Sequence, residues 1–360
     1  RMMIYTWQLM GVPIYYAENL AKIADNLVEL KPTILTTVPR LLEKFYDKII
    51  AVGRKQKGIK RKIFFWADKI AREYEEENQT FMYRTKLKLA RKLVLNQWHN
   101  AFGGNFDVII SGGAAVQTLT CRIFYAMGIT VLNGYGLTET SPVIAVSNFF
   151  KNGIKIGTVG PPLPGIEVTI AEDGEILTRG HCVMKGYFKE EVTPLDVIDA
   201  EGWFHTGDIG QFEKQGQITI TGRKKEMFKT AFGKYVVPTI IENKFSEDSL
   251  IDSILVVGEN KQFAAALIVP EFSDLRAWCA RKGIEYTTNE EMIKHPEILK
   301  KYKKIVDYYN KSFGDTEKVK RFLLVDYAWS IETGELTPTL KLKRNFIMKK
   351  YHDTIESLFA

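Results

Sequence analysis

Two short apolar runs that each empty into a glycine-containing loop constrain this chain more than any other feature of its 360 residues. Phe106 to Ser111 and Ile129 to Leu132 have the length and texture of buried strands, and the stretch between them is long enough for one helix. That is the alternation of an α/β sheet. The loops that follow are Ser111-Gly112-Gly113-Ala114-Ala115 and Asn133-Gly134-Tyr135-Gly136-Leu137-Thr138-Glu139-Thr140. Both leave the carboxyl ends of their strands, where open α/β sheets bind ligands.

The chemistry those loops can offer differs. Gly112, Gly113 and Ala114 have little or no side chain, so their backbone can approach a planar ligand; the same run also serves as a plain strand-to-helix turn. The second loop gathers more. Tyr135 can stack on a base, Thr138 can donate to a phosphate oxygen, and Glu139 can hold Mg²⁺, a hard cation that takes carboxylate and water. Asn133, Gly134 and Gly136 complete that candidate nucleotide set. A helix start with Thr138 and Glu139 in its first turn is compatible with the same residues.

Alternation continues on both sides. Leu20, Ile23, Ala24 and Leu27 recur at helical spacing, Thr33 to Val38 is β-branched, and Pro39 opens a further helix. A segment from 43 to 100 holds fifteen Lys and Arg against seven Asp and Glu, which accounts for the net charge of +7 and leaves the remainder near neutral. Within it two helical stripes are expected, one of Ile59, Ile63, Trp66, Ile70 and Tyr74, the other of Leu87, Ala90, Val94 and Trp98, forming a helical hairpin or an insertion. A basic segment without a nucleic-acid fold signature or base-stacking aromatics on a sheet points away from nucleic acid. Solvated helix faces, or attraction to anionic lipid or polyphosphate, remain. After Pro142 short alternating strands are expected at Glu167 to Ile170, Glu175 to Thr178 and Gln217 to Thr221, with a turn at Asp173-Gly174. Further strands are expected at Ser253 to Val257, Ala264 to Val269 and Phe322 to Val325.

The three cysteines, Cys121, Cys182 and Cys279, are odd in number and far apart, which fits reduced thiols better than disulfides or a metal site. No run is long and apolar enough to span a bilayer. These features predict a cytoplasmic protein, with a peripheral membrane contact left open. The apolar start, Arg1 to Met10, lacks a capping residue, as in a chain beginning inside an element.

The run from Asn133 to Thr140 is similar to the adenine- and metal-binding motif of the adenylate-forming superfamily, and further segments match that superfamily in order. Gly157-Thr158-Val159-Gly160-Pro161-Pro162-Leu163-Pro164-Gly165 resembles its structural turn. Trp203-Phe204-His205-Thr206-Gly207-Asp208 resembles the segment whose aspartate accepts from both ribose hydroxyls, a pairing that suits two carboxylate oxygens; His205 could serve as a base, but adenylation removes no proton from an ionised carboxylate, so a packing or turn role is expected. Gly222-Arg223-Lys224-Lys225-Glu226 resembles the interdomain junction, which implies Arg223 as a nucleotide binder and Lys225 as a hinge. Lys229-Thr230-Ala231-Phe232-Gly233-Lys234 resembles the loop lining the thiol channel, so Phe232, Gly233 and Lys234 are implied there, with Phe232 in place of the first of two usual glycines. Leu336-Thr337-Pro338-Thr339-Leu340-Lys341-Leu342-Lys343-Arg344 resembles the loop that supplies the adenylating lysine, implying Lys341, with Lys343 and Arg344 as solvated neighbours. One ammonium between a carboxylate and an α-phosphate offsets their repulsion.

Within that superfamily the chain resembles the long-chain acyl-CoA synthetases, including the basic segment at 43–100 and the helical stretch at 272–315. The resemblance implies residues 1–222 as the C-terminal portion of a large AMP-binding domain with a β-rich subdomain at 157–222. Residues 223–360 would be a small, mobile α+β domain. It implies ATP, Mg²⁺ and CoA as ligands and a long-chain fatty acid as substrate, with Lys341, Thr138 and Glu139 at the chemistry. The family's Ser/Thr/Gly-rich phosphate loop, absent before Asn133, would lie upstream of Arg1, so a chain lacking it is expected to show little turnover alone. Other carboxylic acids, a carrier-protein acceptor, or a non-catalytic nucleotide-binding fragment are the alternatives, and oligomeric state is unspecified.

Overall fold

The structure is a computed structural model that describes residues 2–19, 22–77, 79–114, 116–189, 197–337 and 339–360. Leu20 of the first predicted stripe, Ala115 of the first glycine loop and Pro338 of the lysine loop lie outside the described residues. The chain divides into two compact units: Arg1–Thr206 with Gly210–Ile220, and Gly207–Ile209 with Thr221–Ala360.

The first unit is built on strands β1 (Ile34–Thr37), β2 (Val108–Gly112), β3 (Thr130–Tyr135) and β4 (Ala145–Val146), in that spatial order. β1, β2 and β3 are parallel and β4 runs antiparallel to β3. β3 is longer than the apolar run predicted: it continues through Asn133, Gly134 and Tyr135, because β4 pairs Val146 with Gly134 and Ala145 with Tyr135. Three residues read as loop are thus the end of a strand. The helix between β2 and β3, Thr118–Met127, stops at Gly128, whose φ of +92° suits glycine, and whose N–H reaches the carbonyls of Phe124 and Tyr125.

Helices Pro39–Lys55, Gly58–Arg72 and Phe81–Ala90 cover the same core, the last continuing through a π turn at Arg91–Leu95 into Asn96–Asn100. The second predicted stripe holds, with Leu87, Ala90, Val94 and Trp98 all buried. The first holds in part: Ile70 is buried and Ile63, Trp66 and Tyr74 pack half-buried against the same core, while Ile59 is 73% exposed and the fully buried residues are Phe64, Ala67, Asp68, Ile70 and Ala71. Phe64 enters the core beside Gly53, where a Cβ would come within 2.0 Å of its ring. The two helices therefore approach over a glycine and a phenyl group. Asp68 is tolerated in that face because Tyr46 Oη donates to it at 2.6 Å and Arg72 Nε at 2.9 Å.

Strands β5 (Ile166–Ile170), β6 (Glu175–Gly180), β7 (Phe204–Phe212) and β8 (Ile218–Arg223) form a second sheet in that order, and the division between the units passes through β7 and β8. β7 is the longest of these and adds a strand to those expected. Its alternation is real, with Phe204, Thr206, Asp208 and Gly210 buried, but polar residues and glycine occupy the inward positions and mask the hydrophobic period.

The second unit opens with a two-stranded ribbon, β9 (Phe228–Lys229) and β10 (Tyr235–Val236), followed by β11 (Ile251–Val257), β12 (Ala264–Pro270) and β13 (Val319–Leu324). β12 lies between the other two, antiparallel to β11 and parallel to β13. Every residue of β12 is buried. Its alternate residues feed two cores, one around Phe245, Leu275, Tyr302 and Val306, the other around Trp329, Ile347 and Leu358, so its unbroken apolar run is what burial on both faces requires. No helix among the described residues is long and apolar enough to cross a membrane.

Candidate functional site

In the first unit the candidate residues meet at the carboxyl ends of β2 and β3. The parallel register sets Ser111 opposite Asn133 and Gly112 opposite Gly134. Ser111 and Asn133 are 1% and 7% exposed, Asn133 Nδ2 donates to the Thr158 carbonyl at 3.1 Å, and neither Ser111 Oγ nor Asn133 Oδ1 has a partner. A buried polar atom left unpaired costs about 1–3 kcal/mol. Both residues lie on the face of the sheet opposite to that of Gly112 and Gly134, because successive strand residues point to opposite faces. On the glycine face the backbone is open: a Cβ on Gly112 would touch only the Gly134 carbonyl, at 3.7 Å, and Gly113, at φ +85°, has nothing within 4 Å. Ala114 is exposed.

Beyond the strand the chain closes tightly on itself. A Cβ on Gly136 would lie 1.8 Å from the Pro142 carbonyl oxygen, so no other residue fits. Leu137 N–H donates to Thr140 Oγ1 at 2.9 Å, and Thr138–Thr140 form a single 3₁₀ turn in place of a longer helix start. That turn leaves Thr138 exposed and Glu139 half-buried. Tyr187 Oη donates to Glu139 Oε1 at 3.1 Å and Met184 N–H to its carbonyl at 2.8 Å. Tyr187 was not found from the sequence, since nothing local links positions 48 residues apart. Tyr135 is 7% exposed and packs with Ile144, Ala145 and Val159, so most of its ring area is already covered.

His205 Nδ1 lies 3.1 Å from Glu175 Oε2 and its Nε2 lies 3.7 Å from Asp199, which ties the chain entering β7 to β6 and to the preceding turn.

The second unit holds the other candidates. Asp208 is 5% exposed and its Oδ1 lies 3.1 Å from Arg223 Nε, while the Arg223 side chain is 56% exposed. Lys225 stands exposed in the 3₁₀ turn Lys224–Glu226 that follows β8. The ribbon β9–β10 carries the loop with Phe232, Gly233 and Lys234, closed by Gly233 N–H to the Thr230 carbonyl at 2.8 Å and Thr230 N–H to the Lys234 carbonyl at 2.9 Å. Only Gly233 there needs a positive φ, of +76°; Phe232 does not, and its ring is 73% exposed. A phenyl group at that position therefore costs the turn nothing and puts an apolar surface at its tip.

Lys341 sits on a small hairpin. Leu336 bridges to Leu342, Thr337 N–H donates to the Lys341 carbonyl at 2.8 Å, and Lys341 N–H donates to Thr337 Oγ1 at 3.0 Å. The residue keeps surface open to solvent, yet partial burial of its ammonium lowers the pKa, the nearby Arg223 charge lowers it further, and Asp208 and Glu226 oppose both. Asp208, Arg223 and Lys341 thus share one electrostatic neighbourhood. Lys343 is exposed as expected, whereas Arg344 is not a solvated neighbour: its side chain is 15% exposed and paired with Glu242. That correction comes from a partner 102 positions away.

Comparison with known proteins places this arrangement. Residues 1–188 match the AMP-binding enzyme family and residues 226–360 match the AMP-binding enzyme C-terminal domain. The long-chain-fatty-acid–CoA ligase FadD15 of Mycobacterium bovis is 33% identical over 97% of this chain and 58% of its own length. Long-chain-fatty-acid–CoA ligase 6 of Rattus norvegicus is 32% identical over 96% of the chain and 50% of its own. The chain thus spans between half and three-fifths of the length of these relatives. Among solved structures, the adenylation domain of a carboxylate reductase from Mycobacterium chelonae shares the fold at a TM-score of 0.67 and 18% identity, over 95% of this chain and 49% of that one. The o-succinylbenzoate CoA synthetase of Bacillus subtilis does so at 0.61 and 16%, over 96% and 57%. With one family covering more than half the chain and its partner domain following in order, this protein belongs to the AMP-binding enzyme family.

Proposed function

We propose that this chain forms part of a ligase that activates a long-chain fatty acid with ATP and passes the acyl group to CoA. The observation that carries the reading is the carboxyl end of β2 and β3, where Gly112 and Gly134 face each other without side chains and a Cβ on Gly112 would meet a single atom, at 3.7 Å, so a ligand can approach the backbone there. That is a cradle for a flat, polar ligand such as adenine. The names of the relatives direct the substrate class.

The reaction has two steps. The fatty carboxylate attacks the α-phosphorus of ATP and pyrophosphate leaves, giving the acyl-adenylate; the CoA thiolate then attacks the acyl carbon and AMP leaves. Gly112, Gly113, Ala114, Gly134, Tyr135 and Gly136 flank the base, and Asp208 and Arg223 engage the ribose. Arg223 Nε lies 3.1 Å from Asp208 Oδ1, so a carboxylate and a guanidinium stand together where a vicinal diol would be held. Lys341 offsets the charge that builds as the two anions meet. Thr138 donates to a phosphate oxygen. The donor set fits Mg²⁺, since one carboxylate beside substrate phosphates and water is the usual supply for that ion; Glu139, half-buried and steadied by Tyr187, would hold it, and when bound it neutralises phosphate charge. Lys225 is assigned as the hinge of the small domain, residues 223–360, and Phe232, Gly233 and Lys234 as the lining of the thiol channel.

Pyrophosphate exchange into ATP, run on this chain and on its complete reading frame with fatty acids of graded length, tests the first step. Comparing CoA with a carrier protein tests the second. Exchange by the complete protein with short or aromatic acids but not fatty acids would overturn the substrate class.

A peripheral contact with anionic lipid also belongs to this reading. Arg84, Lys86, Lys88 and Lys92 are exposed beside Phe81, Met82, Leu89 and Leu93, and the segment 81–100 contains no acidic residue. Cations among exposed apolar side chains suit an anionic interface; co-sedimentation with phosphatidylserine vesicles that weakens with salt is the expected result, and salt-independent or absent binding would refute it.

A further inference from the structure

The hairpin that carries Lys341 is anchored at both feet by buried carboxylates. At the first foot, Glu335 is fully buried and accepts from Tyr327 Oη at 3.0 Å, Lys350 Nζ at 2.7 Å and Thr333 Oγ1. Tyr351 Oη extends the chain to Tyr327 at 2.6 Å and receives Trp329 Nε1 at 3.2 Å. Burial works against ionisation of Glu335, but the hydrogen bonds from Lys350 and Thr333 outweigh it and hold the carboxyl below its ordinary pKa. The Glu335 carbonyl meanwhile accepts from Lys343 N–H at 2.8 Å. The foot is thereby stitched to the returning strand of its own hairpin.

The second foot is Arg344. Its Nη1 donates to the Val256 carbonyl at 3.2 Å and its Nη2 to Glu242 Oε1, which also accepts from Val256 N–H at 2.7 Å. Arg344 Nε lies 3.9 Å from Glu226, which receives Thr239 Oγ1 at 3.3 Å. Glu226 follows the residue assigned as hinge. One guanidinium thus touches the helix Pro238–Phe245, the strand β11 and the turn after β8, all in the second unit. Only a planar fork can serve those acceptors together; a lysine ammonium on a flexible stem could serve one or two. A buried ion pair is weak evidence for added stability and better evidence for fixing a register, and the register fixed here is that of the segment bearing Lys341.

We propose that Arg344, with Glu242 as its counter-ion, is a positioning residue for Lys341: together with Glu335 it holds the hairpin 335–344 as a preformed unit, so that the ammonium is presented without ordering of the loop. The inference rests on the role assigned to Lys341 above, while its structural half can be tested independently. A preformed hairpin spares the reaction the entropy of fixing a loop at each turnover.

The test reads amide hydrogen exchange at Lys341 and Lys343, whose N–H groups bond Thr337 Oγ1 and the Glu335 carbonyl, in this chain and in Arg344→Gln, Arg344→Lys, Glu242→Gln and Tyr302→Phe. Tyr302, whose hydroxyl donates to the Leu250 carbonyl at 2.7 Å, lies in the other core of the unit and controls for general destabilisation. Protection at Lys341 and Lys343 should fall roughly tenfold or more in Arg344→Gln, less in Glu242→Gln and Arg344→Lys, and stay at parent level in Tyr302→Phe. Where Arg344→Gln fails to fold, Glu242→Gln against Tyr302→Phe carries the comparison. In the complete protein, Arg344→Gln should lower kcat for acyl-adenylate formation at nearly unchanged KM, with thioester formation from supplied acyl-adenylate retained. Unchanged protection in Arg344→Gln and Glu242→Gln, or equal loss in Tyr302→Phe, overturns the clamp. Full adenylation by Lys341→Ala would instead overturn the role of Lys341 and leave the exchange result standing.

Discussion

Alanine at Gly136 and at Gly112 should separate a glycine required by the fold from one required by the ligand. Neither has the positive φ that penalises an L-residue, so backbone strain cancels from the comparison and contact decides. At Gly136 the added Cβ would lie 1.8 Å from the Pro142 carbonyl oxygen, 2.7 Å from its carbon and 2.8 Å from Val143 Cα. All three are backbone atoms, so no side chain can swing aside, and the turn must open by more than an ångström. Overpacking of ordinary cores costs about 1–3 kcal/mol, and this case belongs at or above the upper end. At Gly112 the Cβ would meet one atom at 3.7 Å, an ordinary contact, so the fold should change by no more than about 0.5 kcal/mol. The ligand would notice instead. Thermal unfolding with and without AMP is the assay, because a ligand at a hundred times its Kd adds about 2.7 kcal/mol. Gly136→Ala should melt several degrees lower without AMP; Gly112→Ala should melt like the parent without AMP and lose most of the nucleotide-induced rise. A Gly112→Ala protein that AMP stabilises as fully as the parent would refute the cradle, and a Gly136→Ala protein with parental melting would refute the contact argument.

Lys341→Ala in the complete protein should abolish acyl-adenylate formation while thioester formation from supplied acyl-adenylate persists, as measured by pyrophosphate exchange and by thiol consumption. Gly53→Ala adds a good helix former, worth about 1 kcal/mol in its favour, against a Cβ 2.0 Å from the Phe64 ring; the clash should win by denaturant midpoint, and Phe64→Leu should recover much of the loss. Burial pushes the Cys121 thiol up to about 12, so iodoacetamide at pH 8 should leave it unmodified in the folded chain and alkylate it only on unfolding. Glu76 has its pKa raised by burial, which outweighs the Ile156 N–H it accepts. A carboxyl with a raised folded pKa favours folding below its ordinary range and loses that contribution as pH rises through the folded value; Glu76→Gln should therefore gain on the parent as pH rises from 4 toward 8 (~4 to ~8 spanning that range), and a constant difference in melting temperature would refute the assignment.

Structure that a local pattern determines is legible in the sequence, and structure that a distant partner decides is not. Strand β12 could be read because its apolar run is unbroken, as burial on two faces demands, and β2 because Val108, Ile109 and Ile110 are consecutive and apolar although its burial alternates. The stripe from Leu87 to Trp98 could be read because its period survives the π turn within it. β7 has no legible hydrophobic period because Thr206, Asp208 and Gly210 fill its inward positions, and Phe64 lies outside the first stripe's period because its place is set by Gly53 on the preceding helix. Single glycines and polar strands carry their structural meaning in what lies opposite, which spacing along one chain does not report.

Arg344 states the same limit in chemical terms. In sequence it is the last of three cations in the run Lys341-Leu342-Lys343-Arg344, and a basic surface loop is the economical reading of such a run. Folding separates the three by what each meets. Lys343 is exposed, Lys341 feels the charges of Arg223 and Asp208, and Arg344 meets Glu242 and the Val256 carbonyl across 102 and 88 positions. A guanidinium can bridge a carboxylate and a carbonyl in one plane where an ammonium cannot. The difference between arginine at 344 and lysine at 341 and 343 is therefore the one local sign of their separate fates. Residue type within a charge run, more than its net charge, is what distinguishes a cation built to be held from one built to reach.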